Sequence, residues 1–192
     1  MTKLLYLCVA VLGIMGCQPQ EETAPMHPQP FVSGHECHLC GMAITGFPGP
    51  KGQAFTGRPL SVVKFCSTRD LISWYLQPEN HPNTKALFVH DMARSDWQHP
   101  DDRHLIDARS AWYVVGSNQT GAMGPTLASF AQQKDAETFA NQKDGEVISF
   151  FELRLDRLCA PSVASAPDLW IPHWENWLTK LPPQPGHPQP SL

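Results

Sequence analysis

Apolar and polar positions between Cys40 and Leu153 fall into short runs separated by turn residues. Cys40–Thr45 is read as a first strand, and Gly46–Gly52 as a turn-rich connection carrying Pro48, Gly49 and Pro50. Gln53–Thr56 continues as a second strand. Ser67 or Thr68 is placed to cap a helix with Asp70 in its first turn, Leu71, Ile72, Tyr75 and Leu76 on one face, and Pro78 as its stop. Ala86–His90 follows as a buried strand. The order then returns. Ala111–Gly116 is strongly strand-like, Gln119–Pro125 is a glycine-bearing loop, and Thr126–Phe130 is a second strand. Asp135–Lys143 is a helix with Ala136, Phe139 and Ala140 inward and Gly145 as its stop. Val147–Leu153 closes the series. The expected fold is therefore α+β, two strand-strand-helix-strand units packed as a pseudo-repeat, with lobes at 34–105 and 106–158.

The ends carry different patterns. Lys3 precedes an apolar run, Leu4–Met15, of about 12 residues, too short to span a bilayer as a helix, which needs roughly 20. It ends at Ile14-Met15-Gly16-Cys17, which resembles the bacterial lipobox. Residues 1–16 are expected to be a signal peptide, and Cys17 the lipidated residue that anchors the mature chain to a membrane. Residues 17–33, rich in Pro, Gln and Glu, are expected to be a tether too poor in apolar residues to fold. Residues 159–192 form a Pro- and Trp-rich tail, in which Trp170, Trp174 and Trp177 are expected to dock back on the domain. Loss of Lys3 with the signal takes the net charge from −4 to about −5, and no basic patch points to nucleic acid.

Six cysteines are present. Cys8 leaves with the signal and Cys17 is consumed by lipid, so Cys37, Cys40, Cys66 and Cys159 remain. The densest chemistry is His35-Glu36-Cys37-His38-Leu39-Cys40-Gly41-Met42. Thiolates and a thioether together favour Cu(I) over hard cations, and Met needs no deprotonation to bind. Structural zinc would want four closed ligands, and only one Cys-x-x-Cys pair exists. A thioredoxin-like redox pair would precede a helix, and the residues after Cys40 do not read as one. Copper, zinc, and disulfide or redox chemistry stay open at this point. Met123, flanked by Gly121 and Gly124, is free to supply a further soft ligand. Met92 is expected to pack, and His99 to sit in a turn. Met26 and His27 lie in the tether. Cys66 and Cys159 read as structural, with a bridge between them conceivable.

The series Cys40-Gly41-Met42, Pro48–Gln53, His90-Asp91-Met92-Ala93 with Trp97, His99 and Pro100, Asp107-Ala108, Ala111–Ser117, Gly121–Gly124, and Phe130 with Asp135-Ala136-Glu137 resembles the NosL family. These are accessory copper-binding lipoproteins of nitrous oxide reductase maturation. The resemblance covers about residues 34–153. It implies paired strand-strand-helix-strand units related to the organomercurial lyase fold, and a non-enzymatic carrier of Cu(I). Its implied partners are nitrous oxide reductase and the membrane-bound maturation transporter. The implied location is a lipid anchor facing the periplasm, on the outer membrane of a Gram-negative bacterium. Cys40, Met42 and Met123 match the family's metal-binding positions. Cys37 is an addition, so binding by one thiolate or two, and a Cys37–Cys40 thiol-disulfide pair as an alternative function, all stay open.

Overall fold

The computed structural model describes residues 26–159. The expected signal, Cys17 and the Trp-rich segment lie outside the described residues. Nine strands and three α-helices follow in order. They are β1 Gly52–Thr56, β2 Ser61–Phe65, α1 Thr68–Tyr75, β3 Thr84–His90, β4 Leu105–Asp107, β5 Trp112–Val115, β6 Thr120–Gly121, β7 Gly124–Pro125, β8 Ala128–Phe130, α2 Gln133–Lys143, β9 Glu146–Ser149 and α3 Leu155–Cys159. They build a four-stranded sheet in the order β2-β1-β3-β4, a three-stranded sheet β8-β5-β9 and the hairpin β6-β7, with every pairing antiparallel. The class is α+β, as expected. The first sheet takes a fourth strand, β4, and the β6-β7 hairpin is inserted between β5 and β8.

The first unit differs from expectation in which residues make its strands. Cys40–Thr45 is not a strand. Cys37 N–H donates to Met42 O (2.8 Å), Gly41 N–H to Cys37 O (2.8 Å) and Ile44 N–H to His35 O (3.0 Å), so the segment bonds back on itself as a loop. Gly41, at φ 72°, makes the turn that an extended run would not allow. The missing partner of β1 is β2. Its five residues are a short run in which adjacent Val62-Val63 interrupts the alternation, and buried Lys64 sends its ammonium to Pro30 O at 2.6 Å.

Period-two alternation explains what each face of the first sheet does. Gly52 and Ala54 of β1 lie opposite Phe65 and Val63 of β2 and Val89 and Leu87 of β3, and these side chains meet α1 in the main core. Gly52 is required there, because a Cβ would stand 2.5 Å from Leu71 Cδ2. Ser67 caps α1, its Oγ accepting from Asp70 N–H at 3.0 Å. The opposite face receives the start of the described chain. Gln29 and buried Gln53 exchange two hydrogen bonds (2.9 and 2.8 Å), so residues 29–31, expected as tether, are bound to the domain.

In β5, Tyr113 and Val115 join the main core while Val114 faces a second cluster with Met92, Ala128, Phe130 and Ala136. Met92 packs, as expected. The turn after β3 joins the sheets: Met92 N–H donates to Ser129 O (2.8 Å), Ser129 Oγ to His90 O (2.7 Å), and Asp91 Oδ1 accepts from Ala131 N–H (3.3 Å). β4, at the expected 105/106 boundary, pairs with β3 in the first sheet.

Candidate metal centre

The free edge of β2 assembles the site. His38 N–H donates to Lys64 O at 2.8 Å, which hangs the Cys37–Met42 loop on that edge. Cys66 follows β2 directly and precedes the helix cap; Asp70 stands in the first turn of α1. The ligand atoms of Cys37, Cys40, Cys66 and Asp70 consequently all lie within 4.8 Å of one another. Cys40 Sγ is 3.6 Å from Cys66 Sγ, Cys66 donates to Asp70 Oδ2 at 3.1 Å, and Cys37 donates to the same oxygen at 3.8 Å. Cys37, Cys66 and Asp70 are buried, and Cys40 is half-buried. The nest is thus reached from solvent through Cys40.

The electrostatics favour at least one thiolate. The neighbouring Cys66 thiol holds the Cys37 thiol well below the ordinary thiol range, with burial opposing. The Cys66 thiol is pushed up in turn, first by its pairing with Cys37 and then by burial. Burial also raises the Asp70 carboxyl. The N-terminal end of α1 adds a partial positive charge beside the sulfurs. Three sulfurs with one carboxylate form a set dominated by soft donors.

Two of the expected ligands, Cys37 and Cys40, are therefore in the cluster. Met42 is half-buried, and its carbonyl accepts from Cys37 N–H. Met123 is half-exposed at the tip of the β6-β7 hairpin, which is fastened to the first turn of α1 where Arg69 Nη1 donates to Pro125 O at 3.1 Å. Cys66 and Asp70 were missed. Cys66 is a free thiol with its sulfur against that of Cys40.

No histidine belongs to this cluster among the described residues. His38 lies edge-on to Phe65 (5.9 Å) and Trp74 (6.0 Å). Buried His90 accepts at Nδ1 from Lys51 N–H (3.0 Å), which makes Nε2 the donor to Asp102 Oδ1 (3.0 Å). His99 lines a cleft of about 150 Å³ with Phe31, Lys51 and His90.

Fold and site together define a small α+β protein with a buried thiol-carboxylate nest suited to a soft metal ion. The family model of NosL matches residues 28–158, and the chain belongs to the NosL family. It is 50% identical over 150 residues to the copper-binding lipoprotein NosL of Stutzerimonas stutzeri, covering 78% of each chain. It is 30% identical over 156 residues to the copper-binding lipoprotein NosL of Achromobacter cycloclastes, covering 79% of this chain and 81% of that one. The crystal structure of the copper chaperone NosL from Shewanella denitrificans is similar at a TM-score of 0.68 and 52% identity, covering 69% of this chain and 99% of that one.

Proposed function

We propose that this protein is a lipid-anchored, non-enzymatic carrier of Cu(I) that delivers copper for the copper centres of nitrous oxide reductase. The observation that carries this reading is the nest of three cysteine sulfurs, two buried and one half-buried. Soft sulfur donors select Cu(I), and relatives covering most of this chain are named copper-binding lipoproteins. In this reading the anchor is the lipid on Cys17; among the described residues no helix is long and apolar enough to cross a membrane.

Copper is the cargo, and the chemistry is ligand exchange. Cys37, Cys40 and Cys66 hold the ion, while Met42 and Met123 offer thioethers on the adjoining loops. Cys40 is the group that an incoming ligand meets first, so a recipient can bind copper before the buried sulfurs let go. The partners are the reductase and the membrane-bound maturation transporter, reached from the periplasmic face of the outer membrane.

Three thiolates and a carboxylate could also close a tetrahedral zinc site, so the test sets the two metals against each other. The reduced chain is titrated with Cu(I) in the presence of Zn(II) and observed by native mass spectrometry. One bound copper, retained against zinc, is expected. Cys66→Ser should weaken Cu(I) binding at least tenfold in competition with a chromophoric chelator. Undiminished copper binding by a Cys37→Ser/Cys40→Ser double variant would sink the site. Removal of the gene should leave nitrous oxide reductase poor in copper; a fully loaded reductase would exclude the delivery role.

A further inference from the structure

Two sulfurs of the thiol nest are close enough to react with each other once no ion lies between them. Cys40 Sγ and Cys66 Sγ stand 3.6 Å apart, although the residues are 26 positions apart in sequence. Cys37, the other half of the Cys-x-x-Cys pair, instead directs its sulfur toward Asp70 Oδ2. Accessibility is graded in the same sense. Cys40 is half-buried and Cys66 is 0% exposed, so a reagent in solution meets Cys40 and not Cys66. A half-buried thiol in contact with a fully buried one is the arrangement of an attacking and a resolving cysteine.

We propose that the copper site is a thiol-disulfide exchange centre in which Cys40 and Cys66 join and so close the nest to copper. This inference rests on the copper-carrier reading. The co-reactant is a disulfide, either glutathione disulfide or an exposed protein disulfide. The Cys40 sulfur attacks one of its sulfurs, forming a mixed disulfide and releasing one thiol, which keeps the proton Cys40 gives up. Cys66 then passes its proton toward Asp70 Oδ2, 3.1 Å away, and its sulfur attacks Cys40 Sγ. The second thiol leaves and takes up that proton. Two cysteine thiols are oxidised and one disulfide is reduced to two thiols.

The sulfurs must close to the roughly 2.05 Å of a disulfide bond. Cys40 lies in a loop outside both sheets, whereas Cys66 is held between β2 and α1, so the Cys40 side moves. The bridge consumes two of the three sulfurs and leaves Cys37 alone beside Asp70. Copper and the bridge then exclude each other: a loaded chain resists oxidation, and an oxidised chain must be reduced before it accepts copper.

The test uses the full chain, reduced, copper-free and kept in detergent. It is exposed to glutathione disulfide, quenched by alkylation, and read by intact mass and peptide mapping. The native and Cys37→Ser chains should both form an internal Cys40–Cys66 bridge. Cys66→Ser should stop at a glutathione adduct on Cys40, and the Cu(I)-loaded native chain should remain reduced. Mapping of the native chain identifies the bridge even if a variant fails to fold. A bridge mapped to Cys37–Cys40, or a native chain that stays reduced, would overturn the proposal. So would an oxidised chain that takes up Cu(I) as the reduced one does. Failure of the carrier reading looks different: the reduced chain itself would take up no copper, whether or not the bridge forms.

Discussion

Lys51 is only 4% exposed, yet it is a cation. Its ammonium donates to Phe47 O (2.6 Å), Pro48 O (2.9 Å) and Gly49 O (2.8 Å), one carbonyl for each of its three donors. This folds the Pro48-Gly49-Pro50 loop around a single side chain. Burial lowers the Lys51 pKa from 10.5 to about 8. The unfolded chain therefore binds one more proton than the folded chain between about pH 8 and pH 10.5, and this group makes stability rise with pH across that window. Below pH 8 both states are protonated and the cost of burying the charge is present in full. Lys51→Met cannot titrate. The native chain should thus gain in urea midpoint relative to Lys51→Met as pH goes from 8 to 10, with other titrating groups cancelling in the difference. A difference that is flat or falls with pH would contradict the placement of the charge. At this scale the sequence was legible where residues cluster along the chain. Cys37 and Cys40 stood out because they are three positions apart, whereas Cys66 and Asp70 reach them only through the fold.

Elements decide whether those residues meet. Cys66 and Asp70 are placed by the junction of β2 and α1, and that junction depends on how closely α1 lies on β1. Gly52 sets the distance, since its absent Cβ leaves the space that Leu71 fills. Gly52→Ala forces a methyl into the Leu71 side chain. Overpacking of this kind costs about 1–3 kcal/mol, to be read as a lower urea midpoint with an unchanged slope. Because the shift falls where α1 meets the sheet, Cu(I) affinity should fall as well. A variant of native stability would show that the helix can move away freely. The α1 and α2 helices were legible from their apolar faces, caps and stops. The strands of the first unit were legible only in part. Cys40–Thr45 has the apolar content of a strand, but Gly41 and the bonds back to His35 and Cys37 turn it into a loop. β2 was hidden because it is only five residues long, and the adjacent pair Val62-Val63 interrupts the alternation that marks a half-buried strand.

At the scale of the whole molecule, the proposed carrier reading separates two devices, a lipid anchor at Cys17 and the thiol nest that takes copper. Residues 29–31 are fixed to the domain by Gln53, Lys64 and Asp102, so the span from Cys17 to the domain ends at Gln29. The twelve residue-to-residue steps from Cys17 to Gln29 can extend at most about 40 Å. A copper site held that near a membrane meets a membrane-bound partner at a raised effective concentration, without any new contact between the two. Cys17→Ser removes the lipid and leaves every residue of the nest in place. Its Cu(I) affinity, measured on the purified chain, should equal that of the native protein. Copper loading of nitrous oxide reductase in cells should nevertheless fall, and overexpression of the unanchored chain should restore it, because concentration replaces tethering. Two results would count against this division of labour: a loss of Cu(I) affinity in Cys17→Ser, which would make the anchor part of the site, or full reductase loading at native expression, which would make the tether irrelevant to delivery.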